Sequence, residues 1–158
     1  MTDRVTNIVI AGLGGQGVII ASDVVADALF RAGFDVKKSE LHGMSQRGGS
    51  VSSDVRFGRE VFSPMVPAGE ADFLVVAAAD QGEVHRRQLR PGGVLIAPDA
   101  VDAAKLANKK GLNVALLGVL SRHLDLAELH WLEALDAAFP EKLRPANRQA
   151  FALGRKEG

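Results

Sequence analysis

The chain contains no cysteine. It therefore has no disulfide, no thiolate nucleophile, and no thiolate ligands for an iron–sulfur cluster or a structural zinc. It also lacks an excess of either charge, since 19 Lys and Arg residues balance 19 Asp and Glu. That excludes a general nucleic-acid or polyanion binder and leaves room only for a local basic patch. No apolar stretch reaches the roughly 20 residues that a membrane-spanning helix needs. The opening MTDRVTN is polar and is not a secretory leader. The expectation is a cytoplasmic protein that binds neither membrane nor nucleic acid. Of the 158 residues, 47% are apolar and 24% charged, an ordinary balance for a globular domain with its own core. There is no repeat, low-complexity tract or linker, so residues 1–158 read as a single domain.

The order of elements follows from punctuation and periodicity. Residues 5–11 form a strand; Ile8, Val9, Ile10 and Ala11 are the unbroken apolar run of a parallel strand covered on both faces. A glycine cluster ends it. Residues 18–32 are helical, with Val18, Ala21, Val25, Ala28 and Ala32 on one face and Asp23, Asp27 and Arg31 on the other. A second strand over 34–41 completes a β-α-β opening. Residues 51–57 alternate strictly, which predicts a strand with one wet face. Gly58-Arg59 is a two-residue turn with glycine first, so 60–63 is expected to pair back as a hairpin. Residues 73–79 repeat the buried-strand pattern. A short helix is expected over 83–89, a turn at Pro91-Gly92-Gly93, and a strand over 94–97. Helices are expected over 101–108, 114–124, 127–139 and, more weakly patterned, 145–152. The fold class is α/β: a Rossmann-like, mostly parallel sheet with an added β-hairpin and a helical C-terminal third.

Two loops carry the chemistry. Gly12-Leu13-Gly14-Gly15-Gln16-Gly17 fits G-x-G-x-x-G between a strand and a helix. Gly12 lets the chain leave the strand sharply, Gly14 and Gly15 allow a phosphate or another backbone close, and Gly17 permits tight helix–strand contact. The amides at the helix start favour an anion. The same turn can also serve packing alone and bind nothing. A nicotinamide dinucleotide wants an acid about 20 residues past the motif. Lys37 and Lys38 stand there instead, with Glu40 late, which disfavours NAD and leaves NADP open.

The second loop is HGMSQRGGS, with adjacent glycines and no apolar periodicity. Arg47 has a fork suited to a carboxylate or phosphate, or to an ion pair with Asp54. Gly48 and Gly49 let its backbone lie against a partner surface. Ser45 and Gln46 are candidates to bond substrate, or to cap the turn. His42 is a weak candidate acid–base group, and a hydrogen-bonded structural histidine is the simpler reading. His85, His123 and His130 are too widely spaced, without an acid cluster, to form a metal set. Trp131 lies among Leu129, Leu132 and Leu135 and reads as a core or subunit contact.

Together GLGGQGV and ELHGMSQRGGSVSSDVRFG resemble the gamma-type subunit of the 2-oxoacid:ferredoxin oxidoreductases, and HGMSQRGGSV is most similar to the small subunit of the indolepyruvate enzymes. LNVALLGVLSR and PANRQAFALG resemble the family's C-terminal region, so the likeness spans nearly the whole chain. Between Pro98 and Asn113 the family has a longer passage, often with another strand. The resemblance implies a subunit of an enzyme, inactive alone, that oxidatively decarboxylates a 2-oxoacid with coenzyme A. Thiamine diphosphate forms the carbanion intermediate and [4Fe–4S] clusters pass electrons to ferredoxin. It implies that thiamine diphosphate, magnesium and the clusters sit in a large partner subunit, through which ferredoxin is met. It implies no catalytic residue in this chain beyond the weak candidates His42 and Arg47. It implies no cofactor bound by this chain alone; coenzyme A is a candidate for the glycine loop, through Gly12, Gly14, Gly15, Gln16 and Gly17, with Ser45, Gln46, Arg47, Gly48 and Gly49 at substrate or interface. Homodimerisation stays open. The alternatives are a stand-alone NADP- or nucleotide-binding oxidoreductase and a scaffold domain without active-site contact.

Overall fold

The computed structural model describes residues 4–42 and 49–157. The apolar run Ile8 to Ala11 lies at the centre of β1 (Thr6–Leu13) and is buried on both faces. The chain then forms α1 (Val18–Arg31), β2 (Asp35–His42), β3 (Ser50–Gly58), β4 (Ala71–Val76), α2 (Gln81–His85) and β5 (Leu89–Ile96). Three helices follow: α3 (Leu112–Ser121), α4 (Glu128–Ala138) and α5 (Arg144–Glu157).

The sheet has five strands in the order β2-β3-β1-β4-β5. β1, β4 and β5 pair in parallel, while β3 runs antiparallel to both β1 and β2. The sheet is therefore mixed, not mostly parallel. The opening β-α-β joins two parallel strands that do not touch, because β3 lies between them. The expected hairpin also changes partner. Residues 60–63 form no strand. β3 already has β1 on one side and β2 on the other, so it has no free edge left to pair. The antiparallel hairpin is β2–β3 instead.

Alternation in β3 predicts a wet face at Ser52 and Asp54, yet both are buried. Residues 59–70 fold over that side, placing Val61 and Val66 in the interior. The Val66 amide donates to the Asp54 carboxylate at 2.9 Å, which compensates its burial. Pro91, Gly92 and Gly93 lie within β5 rather than in a turn. The ladder shifts register there, Gly92 has φ +81°, and a Cβ on Gly93 would lie 3.0 Å from the Ala71 carbonyl oxygen. Residues 101–108 form no α-helix. The stretch makes short 3-10 turns at Pro98–Ala100, Ala103–Lys105 and Lys109–Gly111. Asp102 and Asn108 accept hydrogen bonds from the amides of Ala104 and Lys110, a local pairing that competes with helix propagation. No strand follows β5 among the described residues.

The two sheet faces are unequal. Ile8, Ile10, Val55, Phe57 and Val75 pack beneath α1, α3, α4 and α5 in the main core, with Trp131 against Phe151. The other face buries a smaller cluster of Val9, Ala11, Val66, Leu74 and Val76. At the start of β4, Asp72 is 3% exposed and ties the sheet's lower end together. Burial alone would raise its pKa. Hydrogen bonds from Arg4, the Asn7 amide (2.8 Å) and Arg90 (2.6 Å) outweigh that and hold it below 3.8. A carboxylate depressed in the folded state stabilises above its unfolded pKa and loses that contribution as pH falls through the folded value. Asp72→Asn is expected to cost about 2 kcal/mol at pH 7, because donors lose their acceptor. The gap from the wild type should narrow as pH falls from the ordinary carboxylate value of 3.8 and close only below the lower folded-state value. Urea melts across pH test this, and a gap that stayed constant would reject it.

Candidate functional site

In α/β sheets a crevice opens beyond the carboxyl ends of parallel strands where the connections diverge to opposite sides. Here that point lies between β1 and β4, since β1 leads through α1 to one side of the sheet and β4 leads through α2 to the other. The glycine turn occupies it. A Cβ on Gly12 would lie 2.9 Å from both Gln16 Oε1 and Val18 Cγ2, and 3.1 Å from Ala77 Cβ, so the turn closes onto the end of β4 only with glycine there. Gln16 Oε1 accepts from the Leu13 amide at 2.7 Å and holds the turn's shape. Gly15 and Gly17 take φ +87° and +75°, the left-handed region that favours glycine. No described residue lies within 4 Å of where a Gly15 Cβ would stand. α1 begins at Val18 without a side-chain cap and without an acid in its first turn. Its first amides are left for an anion.

The second loop starts from the same end of the sheet. His42 at the end of β2 stands opposite Val51, and the Gly14 amide donates to the Gly49 carbonyl at 2.8 Å. Gly14 and Gly49, candidates from separate motifs, are thus in contact. Ser45, Gln46, Arg47 and Gly48 lie outside the described residues, as does the His42 side chain. The Asp54 carboxylate, expected as a partner for Arg47, receives the Val66 amide. Lys37 and Lys38 are not near the glycine turn. With β3 inserted, β2 is two strands, roughly 10 Å, away from β1. Lys37 pairs with Asp35, and Lys38 with Asp23 and Glu40.

Beside the second loop is a polar group that sequence reasoning missed. The Ser50 hydroxyl donates to Gln81 Oε1 at 2.8 Å and lies 3.2 Å from His85 Nε2. Burial lowers the His85 pKa, partly offset by the Asp54 charge, so the ring is neutral at pH 7. Burial raises that of Asp54, against the Val66 hydrogen bond and the charges of Arg56 and His85. With its proton given to Gln81, Ser50 accepts from His85 only if Nε2 carries the ring proton. The legible signal was position: Gln81 follows a buried parallel strand, where functional side chains collect.

On the helical side of the turn is a cleft of about 640 Å3. Gly15, Gln16 and Gly17 form one wall with Asn113, whose Nδ2 donates to the Gly17 carbonyl at 3.2 Å. Lys109 and Lys110 stand above it, and the first turn of α5 closes it. A cavity of about 650 Å3 lies at the opposite end of the sheet. Its Arg4 and Arg90 are already paired through Asp72.

Comparison with known proteins follows the same lines. The family model for pyruvate ferredoxin/flavodoxin oxidoreductase matches residues 7–157. The indolepyruvate oxidoreductase subunit IorB of Thermococcus kodakarensis is 34% identical, over 95% of this chain and 94% of that protein. Its alignment runs over 190 positions, more than the 158 residues here, so the relative carries additional residues within the match. A crystal structure of a keto/oxoacid ferredoxin oxidoreductase gamma subunit from Geobacter sulfurreducens shares the fold, with TM-score 0.82 at 21% identity over 98% of this chain and 96% of that one. The 2-oxoglutarate:ferredoxin oxidoreductase from Magnetococcus marinus, solved with 2-oxoglutarate, coenzyme A and succinyl-CoA bound, contains the fold at TM-score 0.79 and 22% identity. The match covers 98% of this chain and 31% of that longer one.

Proposed function

The chain belongs to the pyruvate ferredoxin/flavodoxin oxidoreductase family and is a subunit of a 2-oxoacid:ferredoxin oxidoreductase; from that premise we propose that it is the non-redox subunit of an indolepyruvate-type enzyme. The observation that carries the reading is the Gly14–Gly49 contact. It puts the glycine turn and the root of the Arg-Gly-Gly loop side by side at the switch point of the sheet. These 158 residues contain no cysteine, so on this reading the cluster thiolates are supplied from outside them. On this reading the partner is a large subunit carrying thiamine diphosphate, magnesium and the clusters, and ferredoxin is met through it.

Coenzyme A fits the cleft chemically. Uncapped α1 amides and two lysines suit phosphate, and an apolar wall suits a base. When bound, the coenzyme supplies the thiol that accepts the acyl group. This chain's residues bind and orient: the α1 amides hold phosphate, Gln16 and Asn113 keep the turn in shape, and the Gly14–Gly49 bond fixes one loop to the other. A stand-alone NADP enzyme is less well supported, because β3 occupies the place beside β1 from which a second strand would reach the ribose.

Co-expression with the large subunit tests the proposal. The expected product is a brown complex that oxidises indolepyruvate with coenzyme A and reduces ferredoxin, while the purified chain is colourless and inactive. Turnover by the chain alone with NADP would overturn the reading. A complex that kept full turnover when the glycine turn was altered, with assembly intact, would favour a scaffold role.

A further inference from the structure

Hydrophobic packing does not account for the position of α2. A helix of five residues is too short to sustain itself. Val84, its one aliphatic side chain, is 55% exposed, and what α2 buries is Gln81 and Gly82. Gln81 is 4% exposed, a polar side chain where an apolar one would ordinarily sit. Its partner accounts for it. Gln81 and His85 lie four residues apart and share a face of the helix. Both meet one hydroxyl: Ser50 donates to Gln81 Oε1 at 2.8 Å and lies 3.2 Å from His85 Nε2. The buried end of α2 is thus tied to the first residue of β3 by polar bonds. Ser50 in turn governs what precedes it. The Gly49 carbonyl belongs to the planar peptide unit that ends at the Ser50 nitrogen, so the placing of Ser50 directs that carbonyl. The same carbonyl accepts from the Gly14 amide at 2.8 Å. In the ladder Ser50 also stands opposite Leu13, whose amide donates to Gln16. One hydroxyl therefore lies between α2 on one side and the glycine turn on the other.

We propose that Ser50, Gln81 and His85 are positioning residues that latch the glycine turn from the α2 side: the two α2 side chains fix Ser50, and Ser50 fixes the Gly49 carbonyl that holds Gly14. Removing the hydroxyl or its partners lets the Gly49–Ser50 peptide rotate and loosens the turn without altering any residue of the turn itself. The three side chains act only through Gly49 and Gly14. The consequence for coenzyme A rests on the coenzyme A reading given above; the latch does not.

Ser50→Ala, His85→Leu and His85→Gln test this, each in the full chain and in the assembled complex. His85→Gln keeps an N–H donor at similar reach. In the full chain, NMR follows amide hydrogen exchange at Gly14, with Val9 in the buried centre of β1 as the internal reference. Ser50→Ala and His85→Leu are expected to speed exchange at Gly14 by roughly tenfold, as the loss of one hydrogen bond would, and to leave Val9 as it was. His85→Gln should stay close to the wild type. In the complex the KM for coenzyme A should rise by a similar factor and that for the 2-oxoacid should not. Unchanged Gly14 exchange in both Ser50→Ala and His85→Leu overturns the latch while the proposed function stands. Faster exchange at Gly14 and Val9 alike shows general loosening and overturns it as well. A His85→Gln protein that behaves like His85→Leu removes His85 from the latch. Fast Gly14 exchange with an unchanged KM for coenzyme A upholds the latch and takes the glycine turn out of the coenzyme site.

Discussion

Gly154→Ala is expected to destabilise the protein by about 3 kcal/mol or more, although helix propensity favours the change by roughly 1 kcal/mol. The reason is the crossing of α3 and α5. A Cβ on Gly154 would lie 1.8 Å from the Ala115 carbonyl oxygen, and one on Gly118 would lie 2.2 Å from the Phe151 carbonyl oxygen. Both obstacles are backbone, so no side-chain rotation relieves them; the helices must part. Parting them opens the core around Leu117, Leu120 and Phe151, all buried. A melting temperature lower by about 6–12 °C is the readout, at 2–4 °C per kcal/mol for a chain of this size. Ala152→Gly on the exposed side of α5 is the control, expected to cost only the propensity of about 1 kcal/mol. A Gly154→Ala protein as stable as the wild type would mean that the two helices do not meet at these residues.

Gly17→Val should damage both stability and function. Gly17 has φ +75°, and a Cβ there would lie 2.5 Å from Asn113 Nδ2. A β-branched residue in the left-handed region costs at least 1–2 kcal/mol, and displacing Asn113 breaks its bond to the Gly17 carbonyl for about 1 more. The expected loss is roughly 3 kcal/mol, together with at least a tenfold fall in coenzyme-dependent turnover of the complex. Gly15→Ala separates the two effects. It also has positive φ, but its Cβ would meet no described residue, so backbone strain is its expected stability cost. Equal stability losses in Gly15→Ala and Gly17→Ala would refute the packing role assigned to Asn113. Full turnover by a stable, assembled Gly17→Val complex would remove the glycine turn from the functional site.

The inserted strand explains why a dinucleotide motif need not imply a dinucleotide. In a doubly wound sheet the second strand lies beside the first and brings an acid to the ribose. β3 takes that position here, so Lys37 and Lys38 are carried outward and paired with carboxylates of their own neighbourhood. What remains at the switch point is the phosphate-ready turn, a loop root bonded to it, and a cleft whose lysines come from a later part of the chain.

Local chemistry makes much of this legible in the amino-acid sequence. The apolar runs of β1 and β4, the helical stripe of α1 and the glycine turn all depend on neighbours a few residues away. Their boundaries therefore follow from periodicity and punctuation. The two loops can be named as a pair because each carries its own glycines. Three things need the folded chain. Strand order does, because an apolar run records that a strand is covered and not which strand lies beside it. That is how β3, whose sequence reads as half of a hairpin with 60–63, sits instead between β1 and β2. The burial of Asp54 does, because a hydrogen bond from Val66 reverses what its polarity suggests. The cleft does, because Gly17, Lys109, Asn113 and Asn147 converge only after α3 and α5 cross at Gly118 and Gly154. Close approach of two backbones is a property of the pair, and neither helix sequence alone contains it.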